Sequence, residues 1–294
     1  MSHTRANLLL VSIAIAWGSS YIFMKIGLHS MNASSIIVSR FAIAFIAMYA
    51  IFFKKMIRVS KETLLASAIL ALPMYGVFIF LLNGMKTTTV STASFLTSTT
   101  VVFVPLIHAL ITKRAPSRKT IVSLTIVIIG LALLTIGDDF GLSAGAVWCL
   151  LCALCNALYL VWTNHFAKKV QPLQLGIYQL GFTALYGTVG FLKETPTLPQ
   201  TTSEWTAILG MALLCSAYGY VLQPIAQRYT SAEEAGFIFS LEPVFAVLFA
   251  FICFGEFMTA AGWTGALLIL TGVLIANYVP KTIKHKKQPA ILHK

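Results

Sequence analysis

The sequence predicts an all-α integral membrane protein whose ten transmembrane helices form two inverted five-helix repeats. Three observations lead to this fold class: the apolar composition, ten long apolar runs and an internal repeat. Of 294 residues, 58% are hydrophobic and 10% are charged, and the mean hydropathy is +0.84. Soluble domains carry about 25% charged residues, so soluble enzymes, secreted disulfide scaffolds and disordered proteins are excluded.

The apolar runs are each about 20 residues long, the length that an α-helix needs to cross the hydrocarbon core. Short connections join them, so consecutive helices are predicted to be antiparallel. Ser143 and Ser203 are placed to cap the sixth and eighth helices, and Pro172 suits the first turn of the seventh. Ser231 and Glu234 form the pattern of a capping box before the ninth. The predicted spans are 6–27, 33–53, 64–85, 88–111, 120–137, 143–164, 171–192, 205–225, 233–254 and 259–279.

The positions of the basic residues orient the chain. The formal net charge is +12. If the N-terminus is cytoplasmic, seventeen Lys and Arg residues fall on the cytoplasmic side and only Lys86 and Lys193 fall outside. Basic loops stay in the cytoplasm, so both termini are predicted to be cytoplasmic. No basic, aromatic-interleaved domain exists, so nucleic acid is not an expected partner.

An internal repeat has an offset of 142 residues. Residues 93–98 (A-S-F-L-T-S) match residues 235–240 (A-G-F-I-F-S), and Gly130 falls on Gly272. Five helices are an odd number, so the second copy must be inverted in the membrane. Inverted repeats are typical of secondary transporters, whose substrate sites lie near the midplane. The predicted parts are 1–140, 141–280 and a basic cytoplasmic tail, 281–294.

Apart from Glu233 and Glu234 at the very start of the ninth, three charged side chains lie within the predicted spans: Lys25, Arg40 and Glu242. A charge at such depth costs at least about 2.5–3.5 kcal/mol and has to face protein or water. Lys25 is close enough to the helix end to reach the membrane interface. Glu242 either makes a structural bond to another helix or lines a cavity, where it would meet a proton or a cationic amine. Lys25 and Arg40 are predicted to lie toward the opposite leaflet, so neither is an expected direct partner of Glu242.

Four prolines interrupt the predicted third, fourth, eighth and ninth helices. Each removes a backbone hydrogen bond and frees the carbonyl four residues earlier, which is that of Phe239 for Pro243. Because the prolines occur in repeat-related helices, these helices are predicted to bend or rock. The candidate gating residues are Pro73, Pro105, Pro224 and Pro243.

Polar and aromatic side chains at membrane depth exceed what lipid-facing helices require. Any single one can join helices or anchor them at the interface, but together they predict a polar, aromatic-lined cavity. The candidate substrate-binding residues are Trp17, Ser20, Tyr21, Lys25, Arg40, Tyr75, Ser98, Tyr159, Trp162, Gln179, Tyr218, Phe239 and Glu242.

Motifs for nucleotide binding, serine hydrolysis and zinc proteolysis are absent from the sequence. Cys149, Cys152 and Cys155 have a spacing that resembles an iron–sulfur run. They lie within an apolar span, however, where small residues serve close helix packing. No cofactor and no metal are expected.

Several of these segments resemble motifs of the EamA-type drug/metabolite transporters. Residues 17–21 (W-G-S-S-Y), followed by Lys25, resemble the opening motif of that family. Residues 40–41 (R-F) resemble the motif of the second helix of that family. Residues 241–244 (L-E-P-V), followed by 255–256 (G-E), resemble its ninth-helix signature. The first-half copy departs from this signature, because it has neither the proline nor the Gly-Glu pair at the matching places.

The resemblance implies a ten-helix carrier with helices 1–4 and 6–9 around a central cavity and helices 5 and 10 outside. Family members often move amino acids or related compounds out of bacterial cells, whereas others import or exchange, so the substrate does not follow. We expect a secondary transporter in the plasma membrane, not an enzyme, that moves a small polar or amphipathic metabolite outward by alternating access. Its expected partners are the metabolite, the lipid bilayer and a coupled proton or exchanged solute.

Two alternatives stay open at this point. A non-transporting membrane subunit or sensor would have a closely packed midplane without a cavity. An intramembrane enzyme acting on a lipid-linked substrate would need paired acids or a metal cluster, whereas Glu242 is the only acid in the interior of a predicted span.

Overall fold

The computed structural model describes residues 1–113, 118–135 and 143–277, which form α-helices, one π-helical segment and short connections. The predicted repeat boundary at 140 and the predicted tail 281–294 lie outside the described residues. The helices are α1 (His3–Gly27), α2 (Ala33–Ile51), α3 (Phe53–Met56), α4 (Lys61–Met85), α5 (Val90–Ser98), α6 (Thr100–Thr112), α7 (Arg118–Thr135), α8 (Ala144–Ala167), α9 (Pro172–Lys193), α10 (Thr202–Leu209), α11 (Val221–Gln227), α12 (Ala232–Phe239), α13 (Glu242–Phe254) and α14 (Ala260–Asn277), with the π segment (Gly210–Tyr220) between α10 and α11.

Eight stretches of the described chain are long and apolar enough to cross a membrane, which confirms an all-helical membrane fold. Five of them are single helices: α1, α2, α4, α8 and α9. The other three each combine consecutive elements, namely α5 with α6, α10 with the π segment and α11, and α12 with α13. They correspond to the predicted spans one to four and six to nine.

The predicted fifth and tenth spans are not confirmed as full crossings. Within the described residues, the apolar parts of α7 and α14 are Ile121–Gly130 and Ala260–Gly272, which are shorter than a membrane crossing needs. The predicted spans 120–137 and 259–279 both run on into residues that the structure does not describe. The total of ten crossings therefore stays a prediction.

Small residues allow α7 and α14 to pack closely on each other. A Cβ atom at Gly130 would lie 2.7 Å from the carbonyl oxygen of Gly265. One at Gly272 would lie 2.6 Å from Cγ2 of Val127. The Ser123 hydroxyl donates a hydrogen bond to the Gly272 carbonyl. Close backbone approach of this kind drives helix association in lipid, and the pair lies beside α5, α6 and α12.

The helix contacts have the pattern of a two-fold relation between the halves. α1 packs on α13, and its repeat counterpart α8 packs on α5 and α6. α2 packs on the π segment, and its counterpart α9 packs on α4. α2 also meets α9, and α7 meets α14, so these helices pair with their own counterparts. Such a relation brings residues from both repeats together between the halves.

The helix starts agree with the predicted caps, with two corrections. Ser143 accepts a bond from the Ala146 amide, and Pro172 opens α9, as predicted. The eighth span is capped by Thr201 rather than Ser203, because only Thr201 stands three residues before Glu204 and completes a capping box with it.

The start of α12 is the second correction. The Ser231 hydroxyl accepts a bond from the Glu234 amide, as a cap does. The Glu234 carboxylate does not complete a capping box, because it bonds the side chains of His3, Asn7 and Thr230 instead. The acid therefore fastens the start of α12 to the start of α1.

The fourth and ninth spans are each broken, at positions 142 residues apart. Thr99 separates α5 from α6, and the pair Ser240–Leu241 separates α12 from α13. The prolines do not coincide with the breaks, because Pro105 lies inside α6 and Pro243 lies in the first turn of α13. A proline in the first turn costs no helix hydrogen bond.

Hydroxyl groups cluster where these spans break. Ser98, Thr99 and Thr100 each donate to the carbonyl three residues earlier, at 2.7 Å. Ser240 bonds the Phe237 carbonyl in the same way at 2.6 Å. Side-chain bonds of this type compete with the backbone bonds of the helix. Two half-helices, α6 and α13, begin at or just after these residues, inside the membrane-spanning region.

The π segment of the eighth span was not predicted from the sequence. It covers 11 residues, whereas most π-helices are single turns. Its carbonyls bond side chains of other helices: the Cys215 carbonyl accepts from Nε1 of Trp17 at 3.0 Å, and the Tyr220 carbonyl accepts from Nε2 of Gln179 at 2.8 Å. The wide turn thus joins α1 and α9 to the same part of the bundle.

Candidate functional site

Two small cavities adjoin each other where the broken spans meet. The break cavity lies between the α5–α6 break and the α12–α13 break, and the central cavity lies next to it, toward α1, α2 and α4. Thr97, Asn156 and Glu242 line both. The break cavity is lined by Ser94, Thr97, Ser98, Thr100, Val101, Asn156, Gly236, Phe239, Ser240, Glu242 and Pro243, and the central cavity by Trp17, Ser20, Tyr21, Met24, Arg40, Val77, Phe78, Leu81, Thr97, Asn156, Tyr220 and Glu242.

Both cavities are too small for a metabolite in this conformation. The central cavity has a volume of about 20 Å³, and the break cavity about 10 Å³. Either volume holds about one water molecule. Because the lining comes from both halves of the chain, movement of one half against the other would enlarge the space.

Arg40 is the most buried charged residue of the site, with no exposed surface. Its Nε donates to Oγ of Ser216 at 2.9 Å, and its Nη1 donates to Oγ of Ser20 at 3.4 Å. Its guanidinium carbon lies 4.3 Å from the ring centroid of Phe78 and 5.0 Å from that of Phe41. Arg40 therefore bonds hydroxyls on neighbouring helices, in line with the expectation that a charge at this depth faces protein or water.

Glu242 is the first residue of the half-helix α13 and lines both cavities. The N-terminus of a helix favours a negative charge. The hydroxyl of Tyr21 faces the carboxylate across the central cavity. Among the described residues, no basic group lies within ion-pair distance of Glu242. Glu242 and Arg40 thus line one cavity without pairing.

An aromatic wall closes one side of the central cavity. The indole of Trp17 stacks on the ring of Tyr220 at 4.6 Å and lies 4.7 Å from that of Phe239. Gly219 leaves the room that the indole needs. The wall therefore joins α1, the π segment and α12.

Tyr159 and Gln179, both predicted for the site, stand behind this wall. The Tyr159 hydroxyl lies 3.2 Å from Oε1 of Gln179 and 3.1 Å from Oε1 of Gln223. Gln179 in turn bonds the Tyr220 carbonyl, which is the carbonyl that Pro224 frees. The structure thus supplies a protein partner for that carbonyl, and these residues hold Tyr220 in place.

Four other candidate residues lie away from both cavities. Lys25 makes an ion pair of 3.4 Å with Glu256. The Tyr218 hydroxyl lies 2.7 Å from Oγ of Ser12. Trp162 packs against the hydrophobic core, and Tyr75 lies beside Gly190 of α9. The cavities bring together the remaining candidates, Trp17, Ser20, Tyr21, Arg40, Ser98, Phe239 and Glu242.

Several lining residues were not among the candidates. Thr97, Asn156 and Tyr220 belong to polar clusters that the sequence displays, and their depth was a usable signal. Met24, Phe78 and the other apolar lining residues carry no such signal, because apolar side chains of the same types also face lipid.

Polar contacts fasten α1 to the ninth span at both ends. At one end, Lys25 pairs with Glu256, whose other oxygen accepts from the Ser91 amide at 3.3 Å. At the other end, Nε2 of His3 lies 2.8 Å from the Glu234 carboxylate, which also accepts from Nδ2 of Asn7 at 3.0 Å. The cavities lie between these two closures.

The fold and this site define a multi-spanning membrane protein with a closed polar centre between two related halves. The family model described as "EamA-like transporter family" matches residues 4–136 and again residues 143–278. The chain belongs to this family, which consists of transporters and not of enzymes. The double match agrees with two repeats and confirms the resemblance found in the sequence.

Known relatives and a solved structure resemble the whole chain. An "uncharacterized transporter" of Archaeoglobus fulgidus is 28% identical over 92% of this chain and 85% of its own. A "probable terminal-alkyne amino-acid exporter" of Streptantibioticus cattleyicolor is 24% identical over 94% of this chain and 95% of its own. One protein crystal structure shares the fold with a TM-score of 0.70 at 15% identity, covering 93% of this chain and 96% of the other.

Proposed function

We propose that this protein is a secondary carrier that exports an amino acid or a related small polar metabolite across the plasma membrane by alternating access. The observation that carries the proposal is the closed cavity between the two repeats, lined by unpaired Arg40 and Glu242 where two spans are broken. Discontinuous helices at the midplane are typical substrate and ion sites of inverted-repeat transporters. The exporter name of one relative agrees with this direction and substrate class.

The closed cavity corresponds to an occluded state of the transport cycle. A volume of about 20 Å³ excludes any metabolite, so the substrate enters only when one half moves against the other. The breaks at Thr99 and Leu241 are the places where the half-helices can change direction. The proline-containing helices bend with them, so we retain Pro73, Pro105, Pro224 and Pro243 as gating residues.

Glu242 is the proposed coupling residue. A carboxylate without a basic partner, half-buried at a helix start, can take up a proton from one side and release it to the other. Export of the substrate is then exchanged for an inward proton. The alternative partner of Glu242 is the ammonium group of the substrate itself, and both uses require the carboxylate.

The closures at the two ends of α1 act as the gates of this cycle. The predicted orientation puts the pair Lys25–Glu256 outside and the contacts of Glu234 inside. Release of one closure while the other holds would open the central cavity to one side only.

Replacing Lys25 with methionine is expected to favour the state open to the outside. Lys25 is 43% exposed and Glu256 11%, so water screens the pair, which is worth at most about 1 kcal/mol. The open population should therefore rise by no more than about fivefold. The rate at which an impermeant maleimide labels Thr97→Cys from outside, in a variant without native cysteines, measures this change. An unchanged labelling rate would mean that the pair Lys25–Glu256 is not part of the outer gate.

Fusions to the C-terminus test the proposed orientation. A fluorescent protein attached after Lys294 is expected to fluoresce, and alkaline phosphatase at the same place is expected to be inactive, because basic segments stay in the cytoplasm. Active phosphatase would place the C-terminus outside. In that event the outer and inner gates exchange roles.

Purified protein in proteoliposomes tests the function itself. Vesicles are loaded with one unlabelled proteinogenic amino acid from a panel and diluted into buffer that contains a trace of the same amino acid in labelled form. The accumulation of label inside the vesicles is then followed. We expect saturable counterflow for at least one member, and its loss in Glu242→Gln. No counterflow for any amino acid, with a folded protein, would contradict this substrate class.

A further inference from the structure

The guanidinium group of Arg40 has an unused donor deep inside the bundle. Arg40 has no exposed surface, and its Nη2 has no hydrogen-bond partner. The Nε and Nη1 atoms are occupied by Ser216 and Ser20. Among the described residues, no carboxylate lies within 4 Å of the group.

A buried charge without a counter-ion is unfavourable, and structures rarely retain one. The rings of Phe41 and Phe78 compensate part of the charge through cation–π contacts. They do not satisfy Nη2, because a ring face offers no lone pair in the plane of the guanidinium. The group therefore lacks an anion, and Arg40 lines the central cavity from which an anion would approach.

The chemistry of the group favours a carboxylate. The planar guanidinium presents parallel N–H donors that match the two oxygens of a carboxylate. The serines and the aromatic rings fix its plane, so little side-chain freedom is lost on binding. Glu242, on the same cavity, is an acid and is the complementary partner for an ammonium group.

We infer that Arg40 binds the carboxylate of the transported compound, and that the substrates are therefore zwitterionic α-amino acids or similar carboxylic acids. This inference rests on the proposed function and narrows its substrate class. Arg40 binds the acid group at one side of the cavity, and Glu242 is left for the ammonium group or a proton. A static role, in which Arg40 only clamps α1, α2 and the π segment together, is the competing account.

Thermal unfolding of the detergent-solubilised protein with small probes tests the inference without transport. Sodium acetate and acetamide differ only in the acid group, and sodium chloride controls for ionic strength. Acetate at about a hundred times its Kd is expected to raise the Tm of the wild type by about 4 °C, and acetamide and chloride to raise it far less. Equal effects of acetate and acetamide, or of acetate and chloride, would overturn the inference.

Variants assign the effect to Arg40. In Arg40→Gln the difference between acetate and acetamide is expected to disappear, whereas the exposed Arg58→Gln keeps it. Arg40→Lys keeps the charge but loses the planar pair of N–H donors that match a carboxylate. The affinity of this variant for acetate should therefore fall at least about tenfold. Retention of the acetate effect in both Arg40 variants would support the static clamp role and overturn the proposed carboxylate site. If acetate binding depends on Arg40 but no amino acid shows counterflow, the proposed transport function is rejected and the carboxylate site at Arg40 is retained.

Discussion

Replacing Glu242 with glutamine is expected to leave the protein folded in the membrane and to abolish transport or its dependence on pH. Glutamine keeps the shape and most of the hydrogen-bonding capacity of the side chain at the start of α13, but it cannot bind and release a proton. We expect counterflow to fall at least about tenfold, equivalent to a loss of about 1.4 kcal/mol. If export is exchanged for inward protons, an acidic exterior drives transport by the wild type but does not drive transport by the variant.

The control for this experiment is Glu194→Gln, which removes an exposed carboxylate just after α9. It should transport like the wild type at every pH. Both variants have to show wild-type elution from a sizing column, so that misfolding does not imitate loss of function. Wild-type transport and pH dependence in Glu242→Gln would reduce this residue to a structural role.

Replacing Gly18 with alanine is expected to give the second large effect. Its Cβ atom would lie 2.6 Å from Cβ of Phe245 and 3.1 Å from both the Ala246 amide nitrogen and the Glu242 carbonyl oxygen. Two of these neighbours are backbone atoms, so no rotamer change relieves the contact and α13 has to move. Overpacking of this kind costs about 1–3 kcal/mol, and the movement displaces Glu242.

Gly27→Ala is the matched control, because Gly27 belongs to the same helix. Its added Cβ would meet only the flexible side-chain ends of Ile36 and Met211, at 3.3 Å and 3.7 Å. Thermal unfolding and counterflow of both variants are compared with the wild type. We expect Gly18→Ala to lose several degrees in Tm and most of its transport, and Gly27→Ala to lose little of either. Equal behaviour of the two variants would mean that α1 and α13 do not pack tightly in the working protein.

The overall architecture was predictable because membrane crossing imposes simple constraints on composition. Apolar runs gave eight crossings that the structure bears out, and the offset between residues 93–98 and 235–240 gave the repeat. The cost of burying a charge was enough to predict that Arg40 faces protein or water. The same argument singled out Glu242, which lines both cavities.

Other features were hidden because one residue type serves several purposes in a membrane. The prolines lie in the two spans that break, but the breaks themselves fall at the hydroxyl residues Ser98, Thr99 and Ser240 and not at the prolines. Polar aromatics such as Tyr218 and Trp162 join helices outside the cavities, and sequence alone does not separate this use from cavity lining. The π segment follows no apolar period, so nothing in the pattern predicted it.

The most direct test of the account is the accessibility of the cavity from each side of the membrane in one variant. Thr97 lines both cavities, so Thr97→Cys places a reporter thiol in each. Four of the five native cysteines are replaced by alanine. Cys215 is replaced by serine, which keeps a donor to the Ala16 carbonyl. An impermeant maleimide is applied to right-side-out and to inverted vesicles. We predict labelling from both sides, with Lys25→Met raising the rate from outside and lowering the rate from inside. A rise of both rates together, or no labelling from either side while transport continues, would contradict alternating access through this cavity.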